Sequence, residues 1–342
     1  MPERNTSTPS TTIDNVWTFI PVCSLVLLVL LILTNGTVLY LFLRHSHLRT
    51  PFNIYLINLL TARVLTQLIQ VPLYLAANLR PPHWSIGRPA CTVYLYGFFI
   101  QSGVCNAHGL ISINRLWAVL RPISYRRLHT KRTACIICGI MWLYIHAITL
   151  PGFIADALYH RLPEEQHGCF LNKGPQLGWA YMHQFADFSL PVLVMVLAYP
   201  VICYKMWTRG AVARRGRIQP LSSTSGVMVV SYHEKVTEPN SPDVGRSSNG
   251  AGGDGDQRNT PSWRSFWVLT IATVGMLVFW MPSNVFYTAQ MFQDVSRWTG
   301  LADAGTVLLF VESVTDPILF TLALRDLRTA FMRTFCSTNS LH

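Results

Sequence analysis

The chain has 342 residues, of which 50% are hydrophobic and 13% are charged, and its formal net charge is +11. A soluble domain carries about a quarter charged residues, so this composition excludes an ordinary soluble fold. The basic excess does not indicate nucleic-acid binding, because Lys and Arg cluster in loops that alternate with long apolar blocks. The composition predicts a membrane protein whose basic loops meet membrane lipids and a cytosolic partner.

Seven apolar blocks are each long enough to cross a bilayer as a helix, which takes about 20 residues. They are residues 17–43, 51–79, 89–120, 133–155, 177–207, 265–292 and 300–323. When residues 1–16 are placed outside as an N-terminal tail, most of the 27 Lys and Arg residues fall in inward-facing loops. We therefore expect an all-α bundle of seven transmembrane helices over residues 17–323, with the C-terminus in the cytoplasm.

The segments between and beyond the blocks carry further signals. The N-terminal tail holds an N-glycosylation sequon at Asn5, and the Ser- and Gly-rich inner loop at about 208–262 is expected to be disordered. In residues 324–342, apolar and basic residues recur at helical spacing, which predicts a short amphipathic eighth helix and a cytoplasmic tail. Cys336 at the end of that helix is either palmitoylated or a free thiol.

Of the eight cysteines, Cys91 and Cys169 are the two that this topology places outside, where oxidation is favoured. We expect them to form a disulfide. The bridge would fix the second exterior loop to the top of the third span.

Motifs on all seven spans resemble those of rhodopsin-like (class A) G-protein-coupled receptors. In chain order they are Asn35, Asn58-Leu59-Leu60, Trp84, Asn114-Arg115-Leu116, Trp142, Pro151, Pro191, Tyr199, Phe279-Trp280-Met281-Pro282 and Asp316-Pro317-Ile318-Leu319-Phe320. The resemblance covers nearly all of residues 17–336. It implies a plasma-membrane receptor, not an enzyme, without cofactor or metal. Such a receptor passes an extracellular signal to a heterotrimeric G protein, and an arrestin and a receptor kinase are further expected partners.

The resemblance also assigns roles to single residues. Coupling and activation fall on Asn114, Arg115, Leu116, Tyr199, Pro282, Asp316, Pro317 and Phe320. The implied ligand pocket is bounded by Phe98, Gln101, His183, Asp187, Trp280, Asn284, Tyr287, Thr306 and Phe310. Considered alone, Trp280 could simply pack in the core, and the prolines Pro191, Pro282 and Pro317 could be static kinks. Arg115 considered alone could contact lipid phosphate.

Arg63 stands where the family usually has an aspartate that binds sodium. A cation at mid-bilayer needs an acidic partner. At 1.5 Å per residue, Arg63 lies about 18 Å from the inner end of its span and Glu312 about 16 Å from that of the seventh, with Asp316 on the same helical face. We therefore expect the guanidinium to bridge both acids in place of sodium, so that agonist affinity is insensitive to sodium. The alternative is an arginine that faces the pore.

Two departures lie near the inner ends of the spans. Asn114 replaces the acid that usually restrains Arg115, and Phe320 lacks the hydroxyl of the family's tyrosine. A charge-assisted hydrogen bond is worth about 1.5–3 kcal/mol, so its loss predicts raised basal signalling. The same departures favour an alternative, a diverged receptor that couples weakly or signals through arrestin.

The ligand class is constrained mainly by exclusion. Retinal needs a lysine in the seventh span, and residues 300–323 contain none; biogenic amines usually pair with an aspartate in the third span, but residues 94–102 contain no acid. Pro72 and the exterior loops favour a peptide. His183 and Asp187, four residues apart, either hold a polar ligand group or satisfy each other.

Two other protein classes fit the sequence less well. A membrane hydrolase or protease needs clustered metal ligands or an activated serine, whereas the span histidines His108, His146 and His183 lie on three different helices. A transporter or channel would give Arg63 and the two acids an ion-carrying role, but the sequence shows no inverted repeat.

Overall fold

Seven long helical rods make up most of the computed structural model, which describes residues 19–79, 84–217, 263–293 and 297–336. The first four are α1 (Phe19–Arg44), α2 (Pro51–Asn78), α3 (Arg88–Leu120) and α4 (Lys131–Ala155). The fifth rod, α5, consists of Leu177–Gln184 and Leu190–Arg217 joined by a π-helical turn at Phe185–Ser189, and it is followed by α6 (Trp263–Ala289) and α7 (Thr299–Ala323). The described ranges contain no β-strand, which confirms the predicted all-α fold.

Six of the seven rods are long and apolar enough to cross a membrane, and α3 is the exception. With 33 residues α3 is long enough, but it carries many polar side chains. These side chains, which include Gln101, Ser102, His108 and Asn114, are buried against the neighbouring helices. Polar groups within a membrane bundle face its interior, so the low hydropathy of α3 reflects a central position.

Helix ends and close helix contacts follow from local sequence. Thr50 and Thr130 accept hydrogen bonds from the backbone N–H of the third residue beyond them, which caps α2 and α4. Gly152 lets α4 approach α5 closely, because a Cβ atom there would lie 2.0 Å from the ring of Trp179. Small residues commonly mark such contacts in membrane proteins.

The inner loop after α5 begins later than predicted. The sequence placed its start near residue 208, but α5 remains helical to Arg217. Residues 218–262, the sequon at Asn5 and the C-terminal tail after Cys336 lie outside the described residues. The predicted boundary is therefore wrong by the last turns of α5.

The two ends of the bundle each carry a predicted feature. At one end, Cys91 and Cys169 form the expected disulfide. At the opposite end, the amphipathic helix α8 (Arg325–Phe331) follows α7 and buries Leu327 completely, before a π-helical turn that ends at the exposed Cys336. A second short helix, Pro122–Leu128, lies in the inner loop between α3 and α4.

Candidate functional site

Arg63 lies near the middle of α2 and is 1% exposed. Its Nη1 donates to Glu312 Oε2 at 2.9 Å and to Ser313 Oγ at 2.7 Å. Its Nη2 donates to Asp316 Oδ2 at 2.7 Å and to the second carboxylate oxygen of Glu312. The structure thus brings together the three charged residues that the sequence placed at similar depth. Because buried charges need partners, these contacts hold α2 against α7.

Two further side chains contact these charges, and the sequence did not assign them there. His108 of α3 has its Nε2 at 2.8 Å from Arg63 Nη2 and 3.3 Å from Asp316 Oδ2. Trp280 of α6 donates from its indole Nε1 to Glu312 Oε2 at 3.2 Å. We call Arg63, His108, Glu312 and Asp316 the charged cluster. Through Trp280 it connects four helices: α2, α3, α6 and α7.

The three ligand-type residues of the charged cluster have the spacing of a cation site. One ligand atom each of His108, Glu312 and Asp316 lies within 4.8 Å of the others. The Arg63 guanidinium contacts all three side chains at hydrogen-bond distance. A second cation there would meet a like charge, which is unfavourable. The geometry therefore favours the guanidinium as the cation of this site.

Most predicted pocket residues lie on the outward side of the charged cluster. Trp280 is buried, and its carbonyl accepts a hydrogen bond from Asn284 Nδ2 at 3.2 Å. Phe310 of α7 packs edge-on against Tyr74 of α2, with 6.4 Å between ring centroids. The remaining members on these helices are Phe98 and Gln101 of α3, Tyr287 of α6 and Thr306 of α7. Trp280 is the predicted pocket residue that contacts the charged cluster, at Glu312.

The other two predicted pocket residues, His183 and Asp187, lie at the interface of α4 and α5. Asp187 is fully buried on the π-helical turn and accepts a hydrogen bond from Thr149 of α4 at 3.1 Å. His183 stacks on Trp179, and its Nε2 lies 3.4 Å from Asp187 Oδ2. Thr149 satisfies one Asp187 oxygen, whereas the buried His183 Nε2 and Asp187 Oδ1 have no hydrogen-bond partner among the described residues, so the pair does not satisfy itself.

At the inner end of the bundle, Arg115 contacts α5 and α2. Its Nη1 donates to the hydroxyl of Tyr199 at 3.2 Å, and its guanidinium lies 5.6 Å from the centre of the Phe52 ring. The same Tyr199 hydroxyl is hydrogen-bonded to Thr273 of α6. Arg115 is therefore linked to both helices that border the long inner loop.

Asn114 points to the inner-loop helix instead of to Arg115. Its Oδ1 accepts from the Tyr125 hydroxyl at 3.1 Å, and its Nδ2 lies 2.9 Å from Nε2 of His129. The His129 ring also stacks on Tyr125, with centroids 4.3 Å apart. Burial lowers the pKa of His129, which favours the neutral ring that can accept a hydrogen bond from the amide. An amide at this position thus fastens the inner loop without restraining the arginine.

The order of the helices and of their motifs agrees with the result of comparing the sequence with known protein families. Residues 34–320 match the family described as "7 transmembrane receptor (rhodopsin family)". The chain belongs to this family. It is therefore a multi-pass membrane protein of the rhodopsin receptor family.

Individual relatives of the receptor include several alpha-2B adrenergic receptors. The protein of Rattus norvegicus is 32% identical over 197 residues, which cover 56% of this chain and 42% of the relative. The protein of Macroscelides proboscideus is 29% identical over 249 residues, which cover 69% of this chain and 62% of the relative. The chain thus spans only about half the length of the curated relatives it matches.

Proposed function

We propose that this receptor converts ligand binding at the pocket above Trp280 into a rearrangement of α6 at the inner surface, where a heterotrimeric G protein docks. In this topology the N-terminal tail is extracellular and the C-terminus cytoplasmic, with an arrestin and a receptor kinase as further partners. The observation that carries the proposal is the hydrogen bond from the Trp280 indole to Glu312. It joins the predicted pocket to the charged cluster, and Pro282 lies two residues further along the same helix.

The guanidinium of Arg63 takes the role of a sodium ion in this proposal. Its charge is covalently attached to α2 and cannot leave, so α2 and α7 stay together while α6 moves. Pro282 and Pro317 lie inside α6 and α7, where each removes a backbone hydrogen bond and permits a bend.

The chemistry of the ligand is a separate proposal. The peptide expected from the sequence receives no support from the relatives, whose names point to adrenergic ligands. A cationic amine needs a carboxylate in the pocket, but residues 94–102 of α3 contain none, and Asp187 is fully buried against Thr149. The contacts therefore do not favour an amine bound as in those relatives, and they leave a peptide or another ligand.

Nucleotide exchange on purified G proteins tests the proposal directly. The receptor, reconstituted in lipid nanodiscs, should accelerate exchange without ligand. Trp280→Phe keeps an aromatic ring but removes the N–H donor, and it should raise the ligand-free exchange rate by about 10- to 100-fold, because one hydrogen bond to a charged group is worth about 1.5–3 kcal/mol. The matched control is Trp142→Phe, which removes an indole donor to Asn58 Oδ1 at 2.8 Å, outside the charged cluster. Equal effects of both variants, or no exchange with any G protein, would contradict the proposal.

A second candidate, arrestin signalling with weak G-protein coupling, is supported by the hydrogen bonds that hold Arg115 to Tyr199 and Tyr199 to Thr273. Arrestin recruitment by the phosphorylated receptor without any nucleotide exchange would favour it. Epitope tags at the two ends provide the test of topology, and they should be accessible from opposite sides of the membrane.

A further inference from the structure

The second exterior loop is fixed to the top of the bundle by a buried ion pair. Asp156 Oδ2 accepts from Arg161 Nε at 2.8 Å and from Nη2 at 2.6 Å, and both side chains are at most 1% exposed. Arg161 Nη1 also donates to Thr92 Oγ1 of α3 at 2.8 Å. On the other side of the pair, the backbone N–H of Asn172 donates to Asp156 Oδ1 at 2.9 Å. The chain just before residue 173 is therefore held in a defined position.

From this fixed position Lys173 reaches across to α6. Its Nζ donates to Gln290 Oε1 at 3.1 Å and lies 5.9 Å from the centre of the Tyr287 ring. Tyr287 belongs to the predicted pocket, so the ammonium lies at the pocket's outer rim. The loop thus carries a cation to the entrance of the bundle instead of leaving it free in solvent.

Neither contact of Lys173 neutralises its charge. None of the ion pairs found among the described residues involves it. The side chain is half-buried, and burial alone lowers its pKa. An amide oxygen and an aromatic face stabilise an ammonium less than a carboxylate does. An anion that arrives at this rim would therefore gain a charge-assisted hydrogen bond.

The four helices around this rim present little competing negative charge. Among the described outer halves of α2, α3, α6 and α7, the one acidic side chain is Asp303. The walls are aromatic instead: Phe98 packs against Tyr94 at 5.1 Å, and Phe310 against Tyr74. This surface suits an apolar body that ends in an acidic group.

We propose that Lys173, with Tyr287 and Gln290, forms a subsite for a carboxylate of the receptor's ligand. The proposal rests on the proposed function, because it places the subsite at the rim of the ligand pocket. The ligand carboxylate would replace Gln290 Oε1 as the hydrogen-bond acceptor of the Lys173 ammonium, and the apolar part of the ligand would extend toward Trp280. The carboxylate is either that of a small organic acid or the C-terminus of a peptide.

The test uses the purified full-length chain and thermal unfolding with matched probes. The probes are small molecules built on one of three groups: a 4-hydroxyphenyl ring, an indole ring or a linear eight-carbon chain. Each group is tested at millimolar concentration in three forms, which end in a carboxylate, an amide or an amine. The peptide arm compares Gly-Gly-Tyr with a free and an amidated C-terminus. We expect at least one free acid to raise the unfolding temperature, and its amide and amine partners to leave it unchanged. A shift confined to the small acids or to the free peptide identifies the source of the carboxylate.

Variants assign the shift to the subsite. Lys173→Met should weaken binding of the active acid about tenfold, which corresponds to roughly 1.4 kcal/mol, and Lys173→Arg should retain it. The control Lys205→Met removes an exposed lysine at the inner end of α5 and should leave the shift unchanged. The proposal is overturned if no acid shifts the wild type, if amines shift it equally, or if the shift survives in Lys173→Met. Because unfolding needs no G protein, absent nucleotide exchange with intact acid binding would count against the proposed function alone.

Discussion

Replacement of Arg63 by alanine is the perturbation whose consequences the charged cluster defines most closely. The variant leaves Glu312 and Asp316 without their cation. Both residues are at most 1% exposed, so water cannot replace it. Removing one partner of a buried ion pair typically costs about 3–5 kcal/mol, because the remaining charge is uncompensated. The comparison variant Arg88→Ala removes an arginine whose side chain is 58% exposed and 3.8 Å from Glu164. An exposed pair contributes at most about 1 kcal/mol, so the two losses should differ severalfold.

Sodium should reverse part of that loss in Arg63→Ala and have no effect on the wild type. With the guanidinium gone, the ligand atoms of His108, Glu312 and Asp316, which lie within 4.8 Å of one another, become free for an ion. An ion that binds only the folded state stabilises it by about 2.7 kcal/mol at a hundredfold excess over its dissociation constant. At that excess, sodium would recover at least about half of the 3–5 kcal/mol lost.

The assay is thermal unfolding of both variants and the wild type in sodium chloride or in N-methyl-D-glucamine chloride at equal ionic strength. We expect an unchanged wild-type midpoint, a lowered midpoint in Arg63→Ala and a partial recovery of that variant in sodium. A sodium-dependent midpoint in the wild type would refute the idea that the guanidinium occupies the ion's place. So would an Arg63→Ala variant that loses no more stability than Arg88→Ala.

Three further outcomes are expected from residues outside the charged cluster. Asn114→Asp should lower ligand-free nucleotide exchange several-fold by restoring a carboxylate beside the arginine, and undiminished exchange would contradict this. Gly152→Ala should cost about 1–3 kcal/mol in thermal unfolding, because the added methyl group would lie 2.0 Å from Trp179, whereas Gly139→Ala meets nothing within 4 Å and should be neutral. Since burial lowers the pKa of His129, the inner-loop helix should be fully docked above about pH 6.5 and should loosen as the pH falls below it. Hydrogen exchange in that helix measures this, and His129→Phe should abolish the pH dependence.

The bilayer made most of the fold predictable, because it sets the length of every apolar block. The same reasoning ended too early at α5, where the helix continues past the apolar residues to Arg217. Alanine and arginine, which recur in residues 209–217, favour helix in water as well, so hydropathy alone does not mark the end of this helix.

Depth within the membrane was predictable for the charged cluster, but helix rotation was not. A rise of 1.5 Å per residue placed Arg63 and Glu312 at the same level. It gives no orientation about the helix axis, so it did not identify His108 or the indole of Trp280 as partners. The same limit applies to Asp187, because the π-helical turn at Phe185–Ser189 changes which neighbour the following side chains face.

The strengths of the contacts around Glu312 indicate which helix is free to move. Its carboxylate receives two hydrogen bonds from the Arg63 guanidinium but one, at 3.2 Å, from the neutral indole of Trp280. Separation of α7 from α2 would break a buried ion pair, whereas separation of α6 from α7 at this level costs one hydrogen bond, about 1.5–3 kcal/mol. A ligand that displaces the Trp280 ring could supply that amount from its own binding energy. At the level of Glu312 we therefore expect α6 to separate from α7 more readily than α2 does, because the attached guanidinium holds α2 to α7 there.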